Sequence, residues 1–453
     1  MKEINNILKE LFSLKQDYRT KNLEKITKLV DFLDNPHLDY PVVHIAGTNG
    51  KGSVCSMLAS VLKESGYKVG LYTSPHILKF NERIKINGKC ISDEEIANIY
   101  KSIRNLSSEI EASFFDITTA IGFKYFSDEK VDIAFIETGL GGRLDSTNIV
   151  NPIVSIITSI SEDHSDILGE NIIDIAKEKA GIIKKNIPVV IQDKEPQIVE
   201  VFVDKANELD STLFLNYDFP VIEFSKYEDY QMMYSVDKDI ILFRIDDAFL
   251  FDTKTETDEK IISLRKRITP LLGKHQIENI KSVGVACLLI RLNGFKIGEF
   301  CIERGIENVI KNTGLQYRIT NISETKTPII LDVAHNEESM LALVHTLYEM
   351  HPHNKWNFIF AAMKDKNIKD MLQLILPICK KLTIVQPKME RAATTKDIQK
   401  IAKELGFNDI EISDIATACK NAKSHTEPCV ICGTFYIIKE VVEAFQLESS
   451  NSA

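Results

Sequence analysis

No apolar run in the 453-residue sequence approaches the ~18 residues needed to span a bilayer. The opening residues, MKEINNILKELFSLK, scatter charges through their apolar positions and lack the apolar block of a signal peptide. Cysteine is sparse. Eight are spread along the chain, without the density of a secreted disulfide scaffold. These absences point to a cytoplasmic protein with no membrane partner. Positive charge is also short, with 55 Lys and Arg against 65 Asp and Glu and a net charge of −10. That deficit argues against a general nucleic-acid binder. It does not exclude anionic ligands, which backbone dipoles and a few cations can hold. There is no internal repeat, and the only low-complexity stretch is the polar tail 448–453. The one close cysteine pair, Cys429 and Cys432, is compatible with redox or zinc spacing. The plainer reading is a buried strand that uses Cys as a small apolar residue.

Hydrophobic residues make up 44% of the chain and charged residues 26%, an ordinary globular balance. The length exceeds one ordinary core, so two domains are expected. From Pro41 onward, β-branched apolar runs alternate with helical patterns. Strands are predicted at Val42–Ala46, Val69–Tyr72, 131–136 and 153–160, and helices at 115–126 and 172–183. Continuous apolar runs suit strands covered on both faces. The alternation implies an α/β fold, a mainly parallel sheet with helices on both sides. Residues 211–268 carry turn signals and little helical period, which predicts short, mostly antiparallel strands packed at the sheet edge. Helices are expected at Lys274–Leu292 and 303–311, with a domain boundary near residue 313. Beyond it the pattern restarts, with strands at 328–331, 357–360, 382–385 and 430–431 in a smaller α/β, Rossmann-like domain.

The strongest local signal is His44-Ile-Ala-Gly-Thr-Asn-Gly-Lys-Gly-Ser53, between a predicted strand and a predicted helix. Gly47, Gly50 and Gly52 let the backbone approach an anion. The helix start points unpaired N–H groups and its dipole at that anion. Lys51 would give the β and γ phosphates a point charge. Ser53 could sit near a magnesium ion. Only Thr48 and Asn49 separate Gly47 from Gly50, whereas the common phosphate loop has four residues there.

In open α/β sheets, ligands bind beyond the carboxyl ends of strands. The strand 131–136 runs into Glu137-Thr-Gly-Leu-Gly-Gly-Arg-Leu-Asp145, where a carboxylate suits a magnesium ligand. The strand 153–160 leads to Ser161-Glu-Asp-His164, and an imidazole can bind metal. Ser74-Pro-His76 follows Val69–Tyr72 and offers a hydroxyl. On composition alone, Lys179 reads as a solvated helix lysine.

Together these segments resemble the successive motifs of the folylpolyglutamate synthase / dihydrofolate synthase family, within the Mur ligase superfamily. The series runs Gly47 to Ser53, Ser74-Pro-His76 with Asn81-Glu-Arg83, Glu137 to Arg143, Asp163-His164, Glu178-Lys-Ala-Gly-Ile-Ile183, His275-Gln276 with Asn279, and Asp332-Val-Ala-His-Asn336. The resemblance covers roughly residues 40–435. It implies an N-terminal ATP-binding domain over 1–313 and a C-terminal ligase domain over 314–453. It implies ATP bound by Gly47, Thr48, Asn49, Gly50, Lys51, Gly52 and Ser53, with Asn279 contacting it from the first domain, and Asp332 and His335 closing on it from the second, where Arg318 also belongs to the ATP-binding set. Ser74, Glu137 and His164 would hold magnesium. Lys51, His164 and Lys179 would be the catalytic set, with Lys179 carbamylated to support a second magnesium ion. The partners implied are L-glutamate and folate or dihydropteroate, and the chain would act as a monomer.

Two departures stand out. Where the family usually carries a Trp-Pro-Gly-Arg-like segment, this chain reads Gly314-Leu-Gln-Tyr-Arg318, so Arg318 is the candidate phosphate-binding arginine. Asp116 stands where a Glu is more usual, which bears on pterin-side contacts.

The resemblance implies phosphorylation of a carboxylate to an acyl phosphate, then attack by the glutamate amine. Magnesium and cations would neutralise the gathered anions, and domain closure about residue 313 would exclude water. A cell-wall Mur ligase would need a UDP-binding domain before the phosphate loop, and the stretch before Pro41 is too short for one. A P-loop kinase or nucleotide switch would not need the second α/β domain carrying Asp332 to Asn336.

Overall fold

The computed structural model describes residues 2–14, 22–163, 165–169, 171–216, 221–228, 231–236, 241–245, 248–252, 266–352, 355–424 and 427–446. The first sheet contains β1 (Val42–Ala46), β2 (Val69–Tyr72), β3 (Ile84–Ile86), β4 (Lys89–Cys90), β5 (Ile133–Glu137), β6 (Val154–Ile157), β7 (Val189–Ile191) and β8 (Leu213–Leu215). Their spatial order is β4-β3-β2-β5-β1-β6-β7-β8. Pairing is parallel from β2 through β8. Every residue of β1, β2, β5, β6 and β7 is buried, as continuous apolar runs require in a sheet covered on both faces.

The edge at β3 and β4 is antiparallel, which the sequence reading did not foresee. Asn87 and Gly88 join these two strands, with φ of 49° and 83°. Two successive positive φ values are what a two-residue hairpin turn demands, and Asn-Gly supplies them cheaply. The remaining strand forecasts shift only by terminal residues.

Strands β9 (Val221–Glu228), β10 (Gln231–Val236), β11 (Ile241–Ile245), β12 (Ala248–Asp252) and β13 (Lys266–Thr269) are antiparallel, as expected. They form separate three- and two-stranded sheets, while β8, from the same stretch, is the strand that lies at the first sheet's edge, and it pairs parallel with β7 rather than antiparallel. The helix expected at 303–311 is two helices, Glu299–Glu307 and Val309–Thr313, with Asn308 between them.

The second sheet contains β14 (Thr320–Asn321), β15 (Ile329–Leu331), β16 (Trp356–Phe360), β17 (Cys379–Ile384), β18 (Ile410–Ile412) and β19 (Cys429–Cys432), in the order β14-β15-β19-β16-β17-β18. All its pairings are parallel except β14 with β15. Cys429 and Cys432 are free, buried and at opposite ends of β19, the small apolar role expected. Among the described residues no helix is long and apolar enough to cross a membrane.

Candidate active site

Sheet order explains why motifs far apart in sequence meet. β1 ends in the loop carrying Gly47 to Ser53. Its neighbours are β5, ending in Glu137, and β6, leading to Asp163. One strand further, β2 leads to Ser74. The four segments therefore line one carboxyl edge, where an open parallel sheet binds ligands.

The loop is shaped by close packing. Gly47 has φ +145°, and a Cβ there would lie 1.8 Å from Thr158 Oγ1. Gly50 has φ +88°, and its Cβ would meet Asn279 Oδ1 at 2.6 Å. Only glycine fits either place. Asn279, on helix Lys274–Leu292, thus presses directly on the loop, and its amide donates to Gln276 Oε1 at 2.9 Å. Lys51 Nζ donates to the Gly47 and Thr48 carbonyls, both at 3.0 Å, folding the loop over its own helix start. Ser53 is buried in the first turn.

Glu137 is only 4% exposed. Its Oε2 accepts the Ser74 N–H at 3.0 Å. Burial pushes its carboxyl pKa up, while Lys51, the Ser74 N–H and Arg318 pull it down. A Cβ on Gly52 would lie 3.5 Å from Glu137 Oε2 and 3.9 Å from Arg318 Nη2, so opposite charges converge over the first turn of the helix.

The second sheet contributes from its own carboxyl edge. Asp332 follows β15 and accepts the Ile319 and Ala334 N–H groups, each at 2.7 Å. Burial raises its pKa and Arg318 opposes that rise. The Arg318 guanidinium lies over the Phe435 ring, 5.5 Å from its centroid. His335 Nδ1 is 2.9 Å from the Val333 carbonyl. Burial lowers the His335 pKa to about 4, against the pull of Asp163, so its ring is neutral near pH 7.

These groups surround a cavity of about 490 Å³, lined by Gly47 to Ser53, Ser74, Glu137, Lys179, Asn279, Arg318, Asp332 and His335. His164 lies outside the described residues. A larger cavity of about 1400 Å³ adjoins it and shares Ser74, Pro75, Gly139, Leu140, His335 and Phe435. Arg83, Tyr100, Phe115, Asp116 and Asp145 line the larger space. Asp145 is buried and accepts the N–H groups of Gly139 and Leu140 at 2.9 and 2.8 Å, which fixes the glycine-rich turn after Glu137. Asp116 completes a capping box with Ser113 and accepts the Ser146 hydroxyl at 2.5 Å. Glu82 accepts the N–H groups of Ile77, Leu78 and Lys79, which ties Asn81-Glu-Arg83 to Ser74-Pro-His76.

Lys179 corrects the compositional reading. It is 4% exposed, and its Nζ donates to the Gly47 carbonyl at 2.7 Å. The helix Ile172–Ala180 turns this lysine inward because the loop's carbonyl can satisfy it. Sequence reasoning also passed over Glu338 and Lys366, which face the cleft from the second domain.

Fold and site define a two-domain α/β enzyme with a glycine-rich loop on the wall of a cavity that both domains line. Residues 45–287 match the Mur ligase middle domain, and residues 317–433 match the Mur ligase glutamate ligase domain. A Bacillus subtilis dihydrofolate synthase/folylpolyglutamate synthase is 31% identical over 433 residues, covering 92% of this chain and 94% of the relative. The crystal structure of a Thermotoga maritima folylpolyglutamate synthase superposes with a TM-score of 0.78 at 29% identity, over 98% of this chain and 97% of that one. An FPGS–AMPPCP–folate complex gives 0.79 at 27%, over 98% and 100%. The chain belongs to the folylpolyglutamate synthase / dihydrofolate synthase family of Mur ligases.

Proposed function

We propose that this chain joins L-glutamate to a carboxylate of a folate-type acceptor, using ATP. The observation that carries this reading is the pair of adjoining cavities. One is walled by a phosphate loop and an arginine, the other by aromatic and charged groups, and the two share His335 and Phe435. Relatives solved with AMPPCP and folate support the same pairing of ligands.

ATP phosphates lie along Gly47 to Ser53, between Lys51 and Arg318. Asn279 backs the loop, and Asp332 and His335 approach from the second domain. The acceptor carboxylate attacks the γ-phosphorus and ADP leaves, giving an acyl phosphate. The glutamate amine attacks the acyl carbon, phosphate departs and the amine proton goes to solvent. Both steps gather anions, and the site's cations offset that repulsion. Residues 1–313 and 314–453 act as the two jaws that exclude water.

The family implies magnesium. Among the described residues no group of three or more His, Cys, Asp or Glu is arranged to hold a metal ion. Magnesium needs few protein ligands when phosphate oxygens and water complete its shell. Glu137 and Ser74 offer hard oxygen donors on the cavity wall, so the donor set fits, with His164 as the third family position. Held by Glu137 and Ser74, such an ion would supply positive charge to neutralise the phosphates.

The acceptor is tested by ATP-dependent incorporation of labelled glutamate, with dihydropteroate and a mono-glutamylated reduced folate in parallel. Incorporation is expected with at least one acceptor and none without ATP. Failure with both would sink the reading.

Lys179 is proposed to carry a carbamate. Its amine adds to CO2, forming an N–C bond and releasing a proton, and an anion replaces the ammonium beside the loop. Intact mass under bicarbonate should show one added CO2 that is absent from Lys179→Ala. A fully active protein with unmodified Lys179 would exclude the claim.

A further inference from the structure

The cleft is bridged by side chains that the reaction leaves without a task. Asp163 follows β6 in the first domain and Lys366 follows β16 in the second. Their side chains form an ion pair in which each is only 8% exposed. The same carboxylate accepts the Asn336 amide at 3.1 Å and lies 3.8 Å from His335 Nε2. Asn336 also exchanges hydrogen bonds with Asn49 of the phosphate loop, at 3.2 Å in each direction. Asn49 gives its second N–H to Glu338 at 2.6 Å. Both amide groups therefore spend both of their N–H bonds across the cleft. On the other side, the Asn336 side-chain oxygen caps helix Glu337–Met350 through the Ser339 N–H at 3.0 Å.

We infer that Asp163 and Lys366 are positioning residues whose ion pair holds the turn Asp332 to Asn336 in register against the phosphate loop. The pair joins the carboxyl edges of the two sheets, beside the residues proposed to reach ATP. It is directional: removing one partner strands a charge in a nearly dry cleft, which pushes the domains apart to hydrate it. Apolar packing would tolerate sliding, whereas an ion pair flanked by two saturated amides fixes one register. Asn336 transmits this fix, because one residue caps the helix, touches Asp163 and touches Asn49. The inference rests on the ligase reading only for its effect on rate.

The test uses full-length Lys366→Met, Asp163→Asn and the double variant. Each single change should lower kcat/KM for ATP about tenfold or more, with an unchanged far-ultraviolet dichroism spectrum. The double variant should be no worse than the worse single, because coupled partners lose their shared contribution once. Small-angle scattering of the nucleotide-free chain should show a larger radius of gyration in both single variants, and a smaller increase in the double variant, which strands no charge. The uncharged double variant keeps the test readable if a single variant fails to fold. Losses that multiply in the double variant, or an unchanged radius of gyration in both single variants, would overturn the inference. Wider variants of a chain that incorporates no glutamate would keep the latch and sink the ligase reading. Unchanged radii with normal incorporation would do the reverse.

Discussion

Lys51→Ala should abolish ATP-dependent ligation, with a loss of about 10³-fold in kcat/KM, the scale seen when one preorganised charge-stabilising donor is removed. The lysine's recorded bonds are to the Gly47 and Thr48 carbonyls of its own loop. The Gly47 carbonyl keeps a second donor, Lys179 Nζ at 2.7 Å, and Thr48 is half-buried, so removing Lys51 Nζ leaves no dry unpaired acceptor. The change should therefore cost stability no more than about 1 kcal/mol. Its effect on chemistry is larger. A cation about 4 Å from a phosphate charge contributes about 4 kcal/mol at an effective dielectric near 20. That attraction grows as the γ-phosphoryl group transfers. Arg318→Ala should lose activity similarly, because its guanidinium meets the same first turn of the helix from the other domain. Initial rates at saturating acceptor, with thermal unfolding on the same samples, decide the matter. Full activity in Lys51→Ala would remove the loop from the mechanism.

What the sequence disclosed follows from what each signal encodes. Strand ends are local, so β1, β2, β5 and β6 and the polar residues just beyond them were legible from apolar runs and glycines. The hairpin at Asn87-Gly88 was equally local, and its Asn-Gly signal was passed over. The break at Asn308 was less accessible, because Ile302, Ile306, Val309 and Ile310 keep helical spacing across it. Lys179 marks a different limit. Helical periodicity identifies a residue's face but not what that face meets, and here it meets the Gly47 carbonyl. Only the resemblance reversed that reading. The cross-cleft contacts lie furthest from the sequence. Asn49 and Asn336 are 287 residues apart, and Asp163 and Lys366 are 203 apart. Nothing in either segment's composition pairs it with the other. Their meeting depends on how two sheets, each legible alone, present their carboxyl edges.

Glu137→Gln should raise the magnesium concentration needed for half-maximal rate and lower kcat about 10²-fold or more. The substitution keeps the shape that accepts the Ser74 N–H at 3.0 Å, so the turn at Ser74 should hold. What it removes is a buried acid able to carry a negative charge. Burial alone would drive that carboxyl toward its neutral form, and Lys51, the Ser74 N–H and Arg318 are what favour ionisation. Burial is the larger influence and the pKa is raised, so a divalent cation bound beside Glu137 would add the charge that favours ionisation, which suits a metal ligand better than a structural role. With glutamine there, Lys51 and Arg318 lose their counter-charge and the metal loses its hard anionic donor. ATP-analogue binding, titrated by calorimetry across magnesium concentrations, separates the two losses. If Glu137 acts only on the cations, affinity without magnesium shifts and the magnesium dependence does not. If it holds the metal, the magnesium enhancement of binding shrinks while metal-free affinity is kept or improved, since one repulsive charge has gone. An undiminished magnesium enhancement in Glu137→Gln would take this residue out of the metal site.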